Sequence, residues 1–352
     1  MNKTKFLICS FLGLLLLSGC SVQFKTKDTS GVDGGLFVSV NKGQTWGQAL
    51  AVPTVKGVES LASLDVASIA LDPSDANAVY FGSVGKGLYY AYNLGLGWQK
   101  AQSLPEGTVN AVAVVPDNKC GVYAAVGNKL FLSEDCNRTY NQVYYDNDPQ
   151  TEISAVAIDH YDTKRIYIGT SKGDVLRSSD KGVTWQTVLR AGFRILKITL
   201  SPQDSRLVFI STNGDGMQRS SDAGENWIKL RDNMKEFPNS HKVMDFVISP
   251  TDSGLIMAVT ANGMLKTVDN GDTWSKIELI TSEKDATINT LTINPKDSKE
   301  IYYATKTTFY SSFDGGVSWS AKKLPSSRGG WKMVVKPDQP NIIFMGMKKF
   351  KQ

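Results

Sequence analysis

The sequence predicts an all-β protein made of repeated four-stranded units, and three observations lead to this prediction. A segment of eight residues recurs seven times along the 352 residues of the chain. A similar order of alternating strands and turns precedes the copies. The two ends of the repeated region hold complementary halves of one unit. Self-similarity at a fixed period of this kind predicts a repeat architecture.

Each eight-residue segment, here called the octet, ends in an aromatic side chain. The copy at 178–185 reads SSDKGVTW. The closing aromatics recur every 42 to 52 residues, a spacing typical of bladed β-propellers with about four strands per blade. They are Trp46, Trp98, Tyr140, Trp185, Trp227, Trp274 and Trp319. We expect each ring to open the last strand of a blade and to be buried between blades.

The third position of every octet carries Asn or Asp, whose side chain can accept hydrogen bonds from nearby backbone N–H groups. These residues are Asn41, Asn93, Asp135, Asp180, Asp222, Asp269 and Asp314. The fifth position is Gly in six copies and Asn137 in the third. Gly and Asn are the residues that accept a left-handed backbone. Each octet is therefore expected to be a tight turn.

The segment before each octet predicts three further strands. In residues 66–98 an alternating strand, a turn, a second strand, a glycine turn and a third strand follow one another. The first strands place large side chains on one face and mostly small ones on the other, which suits wedge-shaped packing. Asp245 stands where other first strands carry small residues, and we expect it to be a channel residue paired with Lys197 or Lys332.

The ends of the repeated region are out of phase. Residues 34–46 hold the second half of a blade, and residues 331–349 hold the first half. Joined, they complete one blade and remove the open sheet edges. We therefore predict a seven-bladed β-propeller of four-stranded antiparallel blades over residues 34–352, its ring closed by N-terminal strands that complete the C-terminal blade.

Residues 1–19 predict a secretory signal. Two lysines precede an apolar run at 6–17, which is shorter than the roughly 20 residues that a membrane-spanning helix needs. The ending LSGC resembles the lipobox of bacterial lipoproteins. The resemblance implies cleavage before Cys20, lipid on Cys20, and residues 20–33 as a lipidated cysteine and tether. It also implies an exported envelope protein held to a membrane through this lipid only, with Ser21 favouring the outer membrane or cell surface of a diderm host.

Two cysteines of the predicted propeller are expected to form a disulfide. Cys120 begins the second strand of its blade and Cys136 lies in the following octet. The hairpin between them turns near Gly127 and Asn128, midway between the cysteines, so that the two should face each other. Disulfides persist in exported chains, and a loop of this length predicts a stabilisation of roughly 3 kcal/mol.

Composition argues against several classes of function. The formal charge of +5 is too small for a protein that binds nucleic acid by neutralising phosphates. The chain holds two histidines, His160 and His241, and no paired Cys/His spacing, so we expect no metal site. Its glycine-rich stretches fall on blade turns rather than in phosphate loops. We expect no cofactor.

The octets resemble Asp-box (BNR) repeats over residues 34–349. Asp-box propellers include sialidases, xyloglucan-cleaving glycosidases, sortilin-type receptors and the cyanobacterial photosystem II assembly factors. The last family has the most similar layout, a lipoprotein signal followed by one seven-bladed propeller. This resemblance implies a membrane-anchored, non-catalytic scaffold that binds a protein partner and helps a membrane complex to form or remain stable.

A glycan-binding or glycan-cleaving propeller is the alternative. Glycosidases need two carboxylates about 5–10 Å apart. The early Arg-Ile-Pro motif of sialidases is absent, and the xyloglucan-cleaving enzymes use two propellers where one is predicted here. We therefore predict that the protein is not an enzyme and has no catalytic residues.

The face opposite the octets is the predicted binding face. It carries the loops that join the blades and the turns between second and third strands, and loops on a rigid scaffold commonly carry binding. Arg and Trp are favoured in interfaces. A protein-docking face should be broad, basic and poor in paired acids. The candidate residues are Lys86, Lys172, Arg190, Phe193, Arg194, Arg231, His241, Lys242, Arg328 and Trp331.

Overall fold

The computed structural model describes residues 33–280 and 287–350. The predicted signal, Cys20 and most of the tether lie outside the described residues. The described chain forms seven four-stranded antiparallel sheets and one separate two-stranded hairpin. This confirms the predicted seven-bladed all-β fold. In these two ranges no helix is long and apolar enough to cross a membrane.

The strands are numbered in chain order. The chain starts with two strands of blade 7 and the separate hairpin, which are β1 (Leu36–Ser39), β2 (Gly47–Ala49), β3 (Ala51–Thr54) and β4 (Gly57–Ser60). Blade 1 contains β5 (Val66–Leu71), β6 (Val79–Ser83), β7 (Leu88–Ala91) and β8 (Gln99–Lys100). Blade 2 contains β9 (Val109–Val115), β10 (Asn118–Val126), β11 (Lys129–Ser133) and β12 (Asn141–Tyr145). Blade 3 contains β13 (Ile153–Ile158), β14 (Ile166–Thr170), β15 (Asp174–Ser178) and β16 (Gln186–Arg190).

The second half of the chain continues in the same order. Blade 4 contains β17 (Ile195–Leu200), β18 (Val208–Thr212), β19 (Met217–Ser220) and β20 (Ile228–Lys229). A short 3₁₀ helix (Asp232–Met234) leads to blade 5, which contains β21 (Val243–Ile248), β22 (Ile256–Thr260), β23 (Gly263–Thr267) and β24 (Ser275–Ile277). Blade 6 contains β25 (Thr290–Asn294), β26 (Asp297–Ala304), β27 (Thr308–Ser312) and β28 (Ser320–Lys323). The last strands are β29 (Gly329–Val335) and β30 (Ile343–Lys348).

Blade 7 is assembled from both ends of the chain. Its strand order is β29, β30, β1 and β2. Leu36 pairs with Gly346, and Ser39 pairs with Ile343. The N–H of Met347 donates to the carbonyl of Gly35 at 3.0 Å. The predicted closure of the ring by N-terminal strands is therefore confirmed.

Apolar side chains fill the space between neighbouring blades, because the two faces of each inner strand pack against different sheets. Between blades 7 and 1, for example, Leu36, Phe81, Trp98 and Phe344 belong to one core cluster and are fully buried. Burial of each such side chain stabilises the fold by roughly 1.5–3 kcal/mol. Seven clusters of this kind surround the central axis.

The octet of blade 3 shows how each of these turns is held. Oδ1 of Asp180 accepts from the N–H of Thr184 at 2.8 Å, and Oδ2 accepts from the Thr184 hydroxyl at 2.5 Å. Lys181 and Gly182 both have positive φ, 62° and 94°. The indole N–H of Trp185 donates to the carbonyl of Gly182 at 3.0 Å. Two consecutive left-handed residues occur in all seven octets, although the sequence predicted one.

The third octet keeps the hydrogen bonds of its aspartate but replaces the contact between glycine and tryptophan with a hydrogen-bonded pair of asparagine and tyrosine. The hydroxyl of Tyr140 donates to Oδ1 of Asn137 at 2.5 Å, and the Asn137 amide donates to the hydroxyl of Tyr92 at 3.0 Å. Asn137 is buried and has a φ of 69°. The smaller aromatic residue thus leaves room for an amide that joins blade 2 to blade 1.

In blades 3 and 4, an arginine on the third strand binds the octet of the following blade. Arg177 donates to the carbonyl of Ala223 at 2.7 Å and pairs with Glu225 at 2.7 Å. Arg219 donates to the carbonyl of Asn270 at 2.8 Å and pairs with Asp272 at 3.0 Å. Because both residues make the same contact one blade apart, their recurrence reflects blade packing.

Cys120 and Cys136 are joined in the structure by a disulfide that closes the hairpin of β10 and β11. Val122 pairs with Ser133 just inside this bridge. The bridge therefore holds the base of a hairpin whose turn lies at the loop face.

Candidate functional site

The first strands of all seven blades line a central channel of about 230 Å³. Their registers place one residue of each blade at the same level. Its partner on the second strand is equivalent in every blade, as in the pairs of Lys197 with Ser211 and Asp245 with Val259. The seven residues, here called the channel ring, are Ser68, Ala111, Ala155, Lys197, Asp245, Thr290 and Lys332.

The channel ring lies close to the loop face, because each member stands near the start of a strand that follows an inter-blade loop. In six blades the register shifts by one residue immediately before the ring position. Such bulges redirect a side chain and often lie beside functional sites. They bring the charged members of blades 4, 5 and 7 into a common space.

Asp245 is the acidic member of the channel ring and is buried. Its Oδ1 accepts from Nζ of Lys197 at 2.9 Å, and its Oδ2 accepts from the N–H of Leu291 at 3.1 Å. Burial raises the pKa of Asp245, but the ammonium charges of Lys197 and Lys332 and the hydrogen bonds from Lys197 and Leu291 together lower it by more, so the pKa lies below its ordinary value. The carboxylate is therefore charged and engaged. Lys197 is the partner expected from the sequence.

Lys332 belongs to a cationic cluster at the channel mouth. Its Nζ lies 5.4 Å from the ring centre of Trp331, and Nζ of Lys348 lies 4.1 Å from the same centre. Phe350 packs edge-on against Trp331, their ring centres 5.8 Å apart. Burial lowers the pKa of both lysines. Trp331, a candidate of the binding face, is thus half-buried under two ammonium groups.

Four of the candidate cations of the loop face are paired with acids. Arg190 pairs with Asp174 at 3.9 Å, Arg194 with Glu152 at 2.9 Å and Arg231 with Asp215 at 3.2 Å. Lys172 pairs with Asp148. The face is therefore less basic than the sequence alone suggests, because the loops supply acids between the cations. Lys86 and Lys242 are exposed, and among the described residues no carboxylate forms a salt bridge with either.

Arg328 does not lie on the open loop face, where the sequence predicted it. Its side chain is 5% exposed and therefore does not form part of an open surface. The guanidinium donates to Asp65 at 2.6 Å, to the carbonyl of Leu64 at 2.9 Å and to that of Ser63 at 3.1 Å. Arg328 thus joins the last blade to the segment that enters the first one. The sequence shows the positive charge of Arg328 but does not predict its hydrogen bonds to these backbone carbonyls.

The loops around blade 4 form the most continuous part of the loop face. Phe193 is 45% exposed, and its ring covers Gly214, where a Cβ would lie 2.4 Å from Cδ1 of the ring. The N–H of Gly216 donates to the carbonyl of His241 at 2.8 Å. We call this region the blade-4 surface. It consists of residues 190–194, 213–216 and 229–242.

A polar pocket of about 510 Å³ opens on the blade-4 surface. Asp215 lies at its base, 4% exposed, and its Oδ2 pairs with Lys229 at 2.7 Å. Arg231, Asp232 and His241 also line it. The sequence named Arg231 and His241 as candidates but missed Lys229, because a residue at the end of an outer strand gives no motif.

The sequence also indicates only part of the charged channel ring. Asp245 stands out as unusual on its strand, whereas Lys197 and Lys332 are expected only as its alternative partners. Alignment of the seven first strands carries the missing signal, since all three charges occupy one position of the repeat. Lys348 at the mouth gives no such signal, because it lies at the end of a second strand.

Fold and site define a single-ring Asp-box propeller with a charged channel. Residues 96–351 match the model of the DUF6242 beta propeller domain family, and the chain belongs to this family. No curated protein sequence matches the chain.

Solved structures with the same fold include enzymes and a peptide-binding protein. The GH74 xyloglucanase from Xanthomonas campestris is 15% identical with a TM-score of 0.67, covering 81% of this chain and 51% of the enzyme. This chain thus spans about half the length of that enzyme. YCF48 bound to D1 peptide is 15% identical with a TM-score of 0.63, covering 85% of this chain and 96% of YCF48. YCF48 from Cyanidioschyzon merolae is 12% identical with a TM-score of 0.62, covering 81% and 95%.

Proposed function

We propose that this protein is a membrane-anchored, non-catalytic propeller that binds a protein partner through its loop face. The blade-4 surface is the observation that carries the proposal. It combines an exposed aromatic ring, Phe193, with the exposed cations Arg190 and Lys242 on a rigid set of loops. Exposed aromatic and arginine side chains in one patch favour protein binding.

The structural neighbours support the same proposal. The match covers 96% of YCF48, which was solved bound to D1 peptide. The xyloglucanase fold extends well beyond the part matched here. A single ring presents one broad loop face to a protein, and we propose that it helps a membrane complex to assemble or remain stable.

The chemistry of the channel favours a non-catalytic role. Among the described residues that line it, Asp245 is the one carboxylate. Hydrolysis of a glycosidic bond needs a second carboxyl group that can hold a proton. Asp245 is instead fixed by Lys197 and by two backbone N–H groups. This arrangement stabilises charge and offers no acid–base pair.

Attachment to a membrane is proposed from the LSGC sequence and Cys20 alone. Lipid on Cys20 would hold the propeller near a membrane complex, with residues 20–33 as the tether. Substitution Cys20→Ala should then release the protein from the membrane fraction, while the wild-type chain stays there and carries fatty acid label.

The partner should be identified by crosslinking the lipidated protein in its native membranes, followed by mass spectrometry. We expect one defined membrane protein. A triple variant, Arg190→Glu, Arg194→Glu and Lys242→Glu, should lose it. The matched control reverses three cations of the octet face, Arg138, Lys164 and Lys181, and should retain it. Equal capture by both variants would reject the blade-4 surface as the binding site.

A glycan ligand is the second candidate, and the polar pocket on the blade-4 surface is the observation that favours it. Asp215 and Asp232 both line this pocket, and two carboxylates in an open pocket are compatible with sugar hydroxyl groups. Binding on a glycan array that is lost in an Asp215→Ala variant, with no protein crosslink, would support this function instead.

A further inference from the structure

The channel ring carries more positive than negative charge. Lys197 and Lys332 contribute two cations, whereas Asp245 contributes one anion, and the other four members are small and neutral. Charges inside a protein interact more strongly than in water because the surroundings are less polar. A partly enclosed site with a net charge of plus one favours the entry of a single anionic group.

Asp245 forms its salt bridge with Lys197 and acts on Lys332 only through space, so within the described residues Lys332 is the ring cation without a salt bridge. Lys197 donates to both Asp245 and the carbonyl of Phe246, at 2.9 and 2.6 Å. In the described ranges, by contrast, no oxygen lies within hydrogen-bond distance of Nζ of Lys332, which lies 5.4 Å from the ring centre of Trp331. The side chain of Lys332 is half-buried, and partial removal of an ammonium from water without a protein acceptor is costly. A ligand oxygen would remove that cost.

The channel has room for such a ligand. Blades 1, 2 and 3 contribute Ser68, Ala111 and Ala155, whose short side chains leave open the space that Lys332 faces across the ring. The cavity of about 230 Å³ corresponds to roughly seven water molecules. A small organic acid or the end of one peptide chain fits this volume, whereas a folded segment does not.

The mouth of the channel adds positive potential on the path inward. Nζ of Lys348 lies over Trp331, and Arg194 is close enough to Lys348 to lower its pKa. Asp65 and Glu152 offset part of this charge, since they pair with Arg328 and Arg194. The sequence of cations from Arg194 through Lys348 to Lys332 would attract a negative group from the loop face.

We propose that the central channel binds a carboxylate, which accepts hydrogen bonds from Lys332 and enters from the loop face. A monoanion neutralises the site, whereas a phosphate dianion would leave it negative. The carboxylate can belong to a free small acid or to a peptide chain. The site rests on the channel residues alone and goes beyond the proposed partner surface on blade 4.

Calorimetric titration with three probes tests the site and separates the two sources. The probes are propionate, the peptide acetyl-Gly-Ala-Ala with a free carboxylate, and the same peptide with a C-terminal amide. We expect binding of at least one carboxylate probe and none of the amide. Substitution Lys332→Met should weaken binding by about tenfold or more, since charged hydrogen bonds are the strong ones. Lys306→Met, an exposed lysine on a loop-face turn outside the channel, is the matched control and should bind normally.

The titration results either support or overturn the proposed carboxylate site. Binding of propionate and peptide alike assigns a free acid, and binding of the peptide alone assigns a chain terminus. Absence of binding by both, equal binding of the amide, or unchanged binding in Lys332→Met would overturn the proposal. If Lys332→Met does not fold, NMR titration of the Lys332 ammonium in the wild-type protein replaces it, and the pKa must rise when the probe is added. A negative result for the carboxylate site does not bear on the crosslinking experiment, which tests the blade-4 surface.

Discussion

Five octets carry an aspartate at the third position, and it acts as a charged acceptor for its own turn. The hydroxyl of Thr184 and then its N–H lower the pKa of Asp180 to about 2. Asp135 receives the same two hydrogen bonds from Thr139, and its pKa is also about 2. Because hydrogen bonds to the charged form favour it, these turns are held best by the carboxylate.

Acid should therefore weaken the octets in a defined range of pH. The folded pKa of about 2 lies below the ordinary aspartate value of 3.8, so the stabilisation by Asp180 is complete above pH 3.8 and is lost as the pH falls through 2. Asp180→Asn should be less stable than the wild type at pH 7, and the difference should vanish near pH 2.

Urea unfolding at several pH values measures this difference. Glu134→Gln, at an exposed position of the blade-2 octet, is the control and should show no such change between pH 4 and pH 2. If the difference in unfolding free energy between Asp180→Asn and the wild type stays constant across this range, the assignment is contradicted. The substitution would then destabilise the octet for a reason other than the loss of the charge.

At the scale of the single residue, the sequence predicted types of contact better than exposure. The pairing of Asp245 with Lys197 could be expected, because a charge on a strand of small residues needs a partner. The burial of Arg328 could not, because its acceptors are mainly carbonyls of a distant segment. Backbone acceptors leave no trace in side-chain patterns.

Among the strands, the hairpin of blade 2 is the one with a covalent link. Cys120 and Cys136 close a loop with a sequence separation of 16. Blade 2 also has the octet with Asn137 and Tyr140 in place of Gly and Trp. The link constrains the blade whose turn departs most from the repeat.

Removal of this link should destabilise the propeller by roughly 3 kcal/mol, the entropy that a loop of this size loses in the unfolded chain. The change is Cys120→Ser with Cys136→Ser, and urea unfolding measures it. Reductant should destabilise the wild type and leave the double variant unchanged. Two reactive thiols in the oxidised, unfolded wild-type propeller would show that the disulfide does not form.

The hairpin of β3 and β4 is the element that the sequence did not reveal. Val55 and Val58 are largely exposed, and every residue of β4 is exposed. Strands are recognised in a sequence by the alternation that burial of one face imposes. A hairpin that buries little has no such alternation, and Pro53 within β3 argues further against a strand.

For the molecule as a whole, the pairing of β1 with β30 is the contact on which the ring depends. Leu36, Phe37 and Val38 are buried, and Phe344 lies opposite Val38. Burial of three such side chains contributes several kcal/mol at roughly 1.5–3 kcal/mol each, which is comparable with the roughly 5–15 kcal/mol that stabilises a whole domain.

A variant that starts at residue 50 should therefore lose its cooperative thermal transition and aggregate through the open edge of β30. The matched control is a circular permutant that joins Phe350 to Asp33 through a flexible linker and opens the chain at the exposed turn after Val55. It keeps every strand and should melt within a few degrees of the wild type. Cooperative melting of the truncated chain would show that six blades close without the seventh.

This closure also has a consequence for the newly made polypeptide. Among the described strands, β1 and β2 are synthesised before all others, yet their partner β30 is synthesised after all others, and contacts between such distant segments form slowly. The ring can close only after β30 has been translated. A chain that is truncated before β30 leaves β1 and β2 without their partner strand. Closure of blade 7 therefore depends on translation having reached β30.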